Sequence, residues 1–281
     1  RADGRSVLRT RRRYAQTDLM ARPAPTIEPV PGDPAATVDL GTERALVIAD
    51  YHAGIEAGLR YERGVELPNN ADERRRRLLS LLDSTTADRL VVLGDLGHEL
   101  GEPEGVEREE LDALAEAIVD DRGIDITIAP GNHDGDLDAL FGDREGVTIL
   151  PASGGLLGGE SGAVGVVHGH TWPDPELLSA STICMGHEHP QVKLEDSVGG
   201  YRVEQAWVRG RVDPASLIDA DPPAAIDPPE LVVFPAFNDR SGGTWVNVEG
   251  QEFLAPFLPD AFVDADCYLL DGTRLGPYRG V

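Results

Sequence analysis

The sequence predicts an α/β fold organised on a parallel sheet, and three observations carry that prediction. Short apolar runs at Ala45–Ala49, Leu90–Leu93 and Ile124–Ala129 have the length of strands buried on both faces. The stretches between them are helical in pattern, so the connections are β-α-β crossovers and the strands run parallel. Each run ends in a polar cluster: Asp50-Tyr51-His52, Gly94-Asp95 and Gly131-Asn132-His133-Asp134. Ligands bind beyond the carboxyl ends of strands in open α/β sheets, so clusters at one such edge mark a site.

Residues 1–44 read as an approach to a single domain spanning 45–281. Seven arginines fall among the first 22 residues of an otherwise acidic chain. This break suggests a native start at Met20, with residues 1–19 upstream sequence; a basic arm for nucleic acid is the competing reading. After the first strand, Asp50 and His52 stand at i and i+2, which in extended backbone point the same way. The long loop from Ala53 to Asn70 carries Arg60 and Arg63, either substrate clamps or a solvated loop face. Ala71 to Leu82 is helical, and its Arg74 to Arg77 run reads as a solvated face, with a grip on phosphate as the competing reading. A second helix, Glu107 to Arg122, leads to the tetrad at 131–134, where Gly131 permits a sharp turn. Two later strands, Ala163–Val167 and Ser181–Met185, end in His168-Gly169-His170 and Gly186-His187-Glu188-His189, so six of the seven histidines lie at or just after strand ends. Isolated, each would be a satisfied structural histidine; five coordinated clusters indicate a metal site. Further strands are expected at 201–208, 230–234, 244–248 and 266–270, with 213–229 a surface excursion.

Composition bounds the setting. The formal net charge of −25 makes the surface self-repelling at low ionic strength and argues for a salt-rich, halophilic cytoplasm. It also argues against a broad basic face for DNA. The two cysteines, Cys184 and Cys267, form neither a disulfide framework nor a thiolate zinc motif. No apolar run approaches the ~18 residues of a membrane span.

Taken together, DxH at Asp50–His52, GD at Gly94–Asp95, GNHD at Gly131–Asp134, His168 and GHxH at Gly186–His189 resemble the calcineurin-like metallophosphoesterases. Gly94–Glu99, Gly64–Pro68, Phe234–Asn238 and Gly242–Gly243 resemble, within that superfamily, the archaeal ICC-like, SbcD-related phosphoesterases. The resemblance implies a four-layer α/β/β/α sandwich with two mixed β-sheets. It implies that Asp50, His52 and His189 hold one divalent ion, that Asn132, His168 and His187 hold another, and that Asp95 bridges them. Such donors suit Mn²⁺ first, with Fe, Zn²⁺, Co²⁺ or Ni²⁺ as alternatives. A hydroxide shared by two ions would attack a phosphodiester in line. His133 is the family's non-ligand histidine, protonating the leaving oxygen or stabilising charge, and Asp134 can orient it. His170 shares the i, i+2 relation with His168 and is the alternative ligand or a substrate contact. His98 is a substrate contact, a support for a ligand or an ordinary loop histidine, and Glu188 carries no assigned role. A phosphate-ester substrate follows, with nucleic acid or a nucleotide among the candidates. The alternatives are a phosphomonoesterase and a metal-stabilised binding module without turnover.

Overall fold

A computed structural model describes residues 25–280 apart from 160, 161, 197, 224 and 225. The expected start at Met20 and the arginines before it lie outside the described residues. The first sheet holds six strands side by side: β1 (Ile27–Pro29), β2 (Ala35–Asp39), β3 (Arg44–Ile48), β4 (Arg89–Val92), β5 (Asp125–Ile128) and β6 (Val147–Ile149). The last four are parallel, as the crossover pattern predicts.

Helices α1 (Ile55–Arg63) and α2 (Ala71–Thr85) join β3 to β4, and α3 (Gly105–Ala115), continued by a π-helical turn to Asp120, joins β4 to β5. Alternation along the strands divides two cores. Leu46, Ile48, Leu90, Val92 and Ile126 pack on Leu78 and Leu82 of α2 and Leu111 and Leu114 of α3, whereas Ala45, Val47, Val91 and Leu93 face the second sheet. This sheet comprises β7 (Gly155–Gly159), β8 (Gly162–Val167), β9 (Thr182–Met185), β10 (Gln191–Glu195), β11 (Tyr201–Val212), β12 (Glu230–Val233), β13 (Phe262–Leu269) and β14 (Arg274–Pro277). Their order is β14-β13-β11-β12-β9-β8-β7, with β10 paired to β11. Val164, Val166, Cys184, Trp207 and Phe234 meet the first sheet. The opposite face packs on Leu177, Leu178, Leu217, Ile218 and Phe257, contributed by short helical turns and loops. The two mixed sheets therefore lie face to face between a helical layer and a thinner outer layer.

Several elements depart from the expectations. Residues 27–39, read as an approach to the domain, form β1 and β2, with Ala36 opposite Val47 and a tight turn at Gly32 (φ 85°). Their Pro- and Ala-rich composition hides the alternation. The long 53–70 loop contains α1, framed by Gly54 and Gly64 in left-handed backbone; nine residues are too few for a clear period. Residues 244–248 form turns with one bridge, Trp245 to Gln191, in place of a strand. The 213–229 excursion tucks Leu217 and Ile218 into the core. The arginine run is no uniform solvated face. Arg74 is buried, 2.7 Å from Glu110 and 3.0 Å from Glu56, and Arg77 pairs with Asp33 and Asp239. Arg75 and Arg76 alone make the surface i, i+3 pairs of an exposed helix side.

Candidate metal centre

The polar clusters converge, but not by the route extended backbone would give. Asp50 (φ 56°) and His52 (φ 47°) occupy left-handed backbone, as do Asp95 (φ 48°), His187 (φ 70°) and His189 (φ 44°). Among the described residues only Thr86 shares this conformation without being glycine or an expected ligand. Such conformations cost ~1–3 kcal/mol each and persist where the surroundings over-determine them. Here strand ends cross-link beyond the sheet. Asp50 N donates to Gly94 O at 3.1 Å, and His52 N donates to Asp95 O at 2.9 Å. The Asp50 carboxylate accepts from His187 N at 3.2 Å.

Donor atoms of Asp50, His52, Asp95 and His189 lie within 4.8 Å of one another, and so do those of Asp95, His168 and His187. Asn132 Oδ1 stands 3.3 Å from His168 Nε2, which extends the second group. Asp95 belongs to both. His168 donates from Nδ1 to Leu93 O at 2.8 Å and His189 from Nδ1 to Gly242 O at 2.8 Å, so each offers Nε2 to the cluster. Gly131 has no positive φ; its absent side chain instead makes room, since a Cβ there would overlap the Asp95 carboxylate. Space, not turning, is what this glycine supplies.

Burial opposes ionisation of Asp50, yet His189, 3.1 Å away, with His168 and His52, holds its carboxyl down at about 2. Burial likewise opposes charge on His189, but Asp50 raises it to about 9. Burial, then Asp50 and Asp134, push Asp95 well above the ordinary range. Burial lowers His168 to about 3, His187 to about 4 and His52 well below its usual value.

The calcineurin-like phosphoesterase family model matches residues 43–213, more than half of the 281 residues. The chain belongs to this family. Among solved structures, the Pseudomonas putida nuclease MPE is 17% identical, covering 88% of this chain and 98% of that one with a TM-score of 0.49. Yfce, a phosphoesterase from E. coli, is 15% identical over 83% and 97%, with a TM-score of 0.38. Among curated proteins no significant relative was found.

The donor set of this family member fits the divalent ions its family uses. Asp50, Asp95 and Asp134 are all buried, and crowded carboxylates of this kind call for positive charge between them. Imidazoles that burial keeps neutral are ready to coordinate.

The His133 amide donates to Asp95 Oδ1 at 3.0 Å, and its ring stacks on His98 at 5.4 Å. Its Nδ1 bonds the His98 carbonyl, which leaves Nε2 for proton chemistry. Asp134 does not orient that imidazole as expected: it accepts from Gly131 N at 2.8 Å and Gly97 N at 3.1 Å, clamping the two turns together. His98 lies 3.4 Å from His52 Nδ1 and packs against Gly58 of α1, where a Cβ would overlap its ring. His52, His98 and His133 bring ring nitrogens within 4.8 Å of one another as a third such group, and His170 lies outside all three, 5.4 Å from the His168 ring between centroids. Arg60 and Arg63 are exposed on the last turn of α1, and among the described residues no ion pair engages either. Sequence reasoning missed Asn238, which donates to Tyr51 O at 2.9 Å, and Glu188, which accepts from Ala255 N at 2.7 Å. A lone amide after an apolar strand was the available signal for the first.

Proposed function

We propose that this chain is a dinuclear metal-dependent phosphodiesterase. The observation that carries the reading is the position of Asp95, shared by two donor groups and bonded at Oδ1 to the amide of His133. Asp50, His52 and His189 would hold one ion, Asn132, His168 and His187 the other, and Asp95 both. When bound, a pair of divalent ions supplies Lewis acidity toward phosphoryl oxygens and an acidified water at neutral pH. His133, fixed through Nδ1 by the His98 carbonyl, directs Nε2 chemistry to the leaving oxygen, giving it a proton or stabilising its charge. Oxygen and imidazole donors without thiolate admit Mn²⁺, the ion we assign, as well as Fe, Zn²⁺, Co²⁺ and Ni²⁺.

We assign substrate recognition to Arg60, Arg63, His98 and His170, with nucleic acid or a nucleotide as the candidate diester. Within the family, Gly94–Glu99 and Phe234–Asn238 support the ICC-like, SbcD-related branch. The charge of −25 and two buried free thiols support a salt-rich, reducing cytoplasm as the setting. The test is hydrolysis of bis-p-nitrophenyl phosphate beside p-nitrophenyl phosphate in molar salt, after chelation and after Mn²⁺ addition. Diester turnover restored by Mn²⁺ and lost in His133→Ala is expected. Folded, metal-loaded protein that cleaves neither ester would move a binding module without turnover ahead, and monoester-only turnover would replace the diester assignment.

A further inference from the structure

The segment 238–255 follows β12 and lies beyond the 43–213 stretch matched by the family model. It carries turns and a single bridge, yet Asn238, Thr244, Val246 and Ala255 are all buried. Beside its bonds to Arg77, Glu56, Pro68, Gln191 and Lys193, the contacts it makes at the candidate metal centre fall on one half of it. At its start, Asn238 N donates to Asp50 O at 3.2 Å, and Asn238 Nδ2 donates to Tyr51 O at 2.9 Å and His52 O at 3.3 Å. In the middle, Gly242 O accepts the Nδ1 hydrogen of His189 at 2.8 Å, and Gly243 lies so close to the His189 carbonyl that a Cβ would overlap it. Further along, Thr244 N donates to Glu188 O at 3.0 Å and its hydroxyl to Glu188 Oε2 at 2.9 Å. The end closes on the same carboxylate, with Leu254 N and Ala255 N donating to Glu188 Oε1 at 2.8 and 2.7 Å.

We infer that residues 238–255 form a strap that positions the donors of one ion site, Asp50, His52 and His189, with Asn238 and Glu188 as its positioning residues. The inference rests on the two-ion reading above. The physical reason is strain. Asp50, His52 and His189 all sit in left-handed backbone, which non-glycine residues keep only under external constraint. The strap bonds the carbonyls of Asp50 and His52 and the ring of His189. In the other donor group, His168 is held from the first sheet by Leu93 O. Loosening the strap therefore relaxes one group more than the other, in which His168 keeps its own anchor and His187 is reached only through its bond to Asp50.

The experiment is Mn²⁺ titration of the full chain by calorimetry, with electron paramagnetic resonance to distinguish a coupled pair from a single ion and a melting curve of the chelated protein as a fold check. Asn238→Asp keeps the shape but replaces the donating amide by an acceptor. It is expected to weaken one of two ions by ~10–100-fold, as lost supporting contacts to metal ligands do, while the other stays within ~3-fold by the same measure. Glu188→Ala is expected to do likewise, and Glu188→Gln, which retains an acceptor oxygen for Leu254 N and Ala255 N, to restore most of the loss. Thr244→Val, which removes a single hydroxyl, probes the same strap should the harsher variants fail to fold; a smaller, one-sided loss is expected. Two ions bound with wild-type affinities in the folded variants, or equal weakening of both, would overturn the strap. A wild type that binds fewer than two ions would instead overturn the two-ion reading and the strap with it.

Discussion

Arg74→Met tests the buried charge network behind the candidate metal centre. Arg74 Nη2 lies 2.7 and 2.8 Å from the two oxygens of Glu110, its Nε lies 2.9 Å from Oε1, and its Nη1 lies 3.0 Å from Glu56. Without the guanidinium, Glu56 keeps Arg240 at 2.9 Å, but Glu110 is left with neutral neighbours, the amide of Gly54 at 2.9 Å and the Tyr51 hydroxyl. The loss therefore concentrates on Glu110, a carboxylate only 3% exposed. Breaking a buried pair from one side costs ~3–5 kcal/mol. At ~2–4 °C per kcal/mol for a chain of this size, the melting temperature should fall roughly 6–20 °C. Molar salt should not mask this, because screening reaches buried pairs poorly. Adding Glu110→Gln should recover much of the loss, since the uncompensated charge is then gone. Thermal and denaturant unfolding of both variants in molar salt provide the assay. A loss below ~1 kcal/mol for Arg74→Met, the worth of an exposed arginine pair, would refute the network's importance.

Other outcomes follow from single contacts. Gly131→Ala should displace the Asp95 carboxylate and lower Mn²⁺ affinity at least ~10-fold; unchanged binding would contradict the crowding at that turn. His133→Ala should cut turnover by ~10²–10⁴-fold with metal content intact, and loss of metal in this variant would reassign it as a ligand. Burial raises Glu107 from about 4.5 to about 7, against the bonds it accepts from the amides of His98 and Glu99. Between those values the folded chain holds a proton the unfolded chain has released. Its contribution to stability is thus full below about 4.5 and declines as pH rises to about 7, with a slope of at most ~1.4 kcal/mol per pH unit. Denaturant midpoints of chelated protein at pH 5 and pH 8 should differ less in Glu107→Gln than in wild type, and an equal difference would refute the assignment.

The candidate donor residues and the parallel strands that carry them were legible because both are local patterns. An apolar run fixes a strand, and the first polar residues after it must stand at the sheet edge whatever else the chain does. Pairing across the fold was not legible. His168 and His170 are equivalent as sequence, and only the position of β8 beside β9 decides that His168 meets Asp95 and His187. Arg74 and its three arginine neighbours are likewise alike in sequence, yet the packing of α2 against α1 and α3 buries the first between two carboxylates. Asp134 looked like a partner for the adjacent imidazole, but its carboxylate bonds the Gly97 and Gly131 amides while the His98 carbonyl takes that role. β1 and β2 lay hidden in proline-rich sequence because their alternation has meaning only against β3. By itself the sequence determined the chemistry available, since donors and strand ends are properties of short stretches. The tertiary structure decided which candidate donors come together and what holds them, because those contacts join residues tens to nearly two hundred positions apart and exist only once the two sheets have packed.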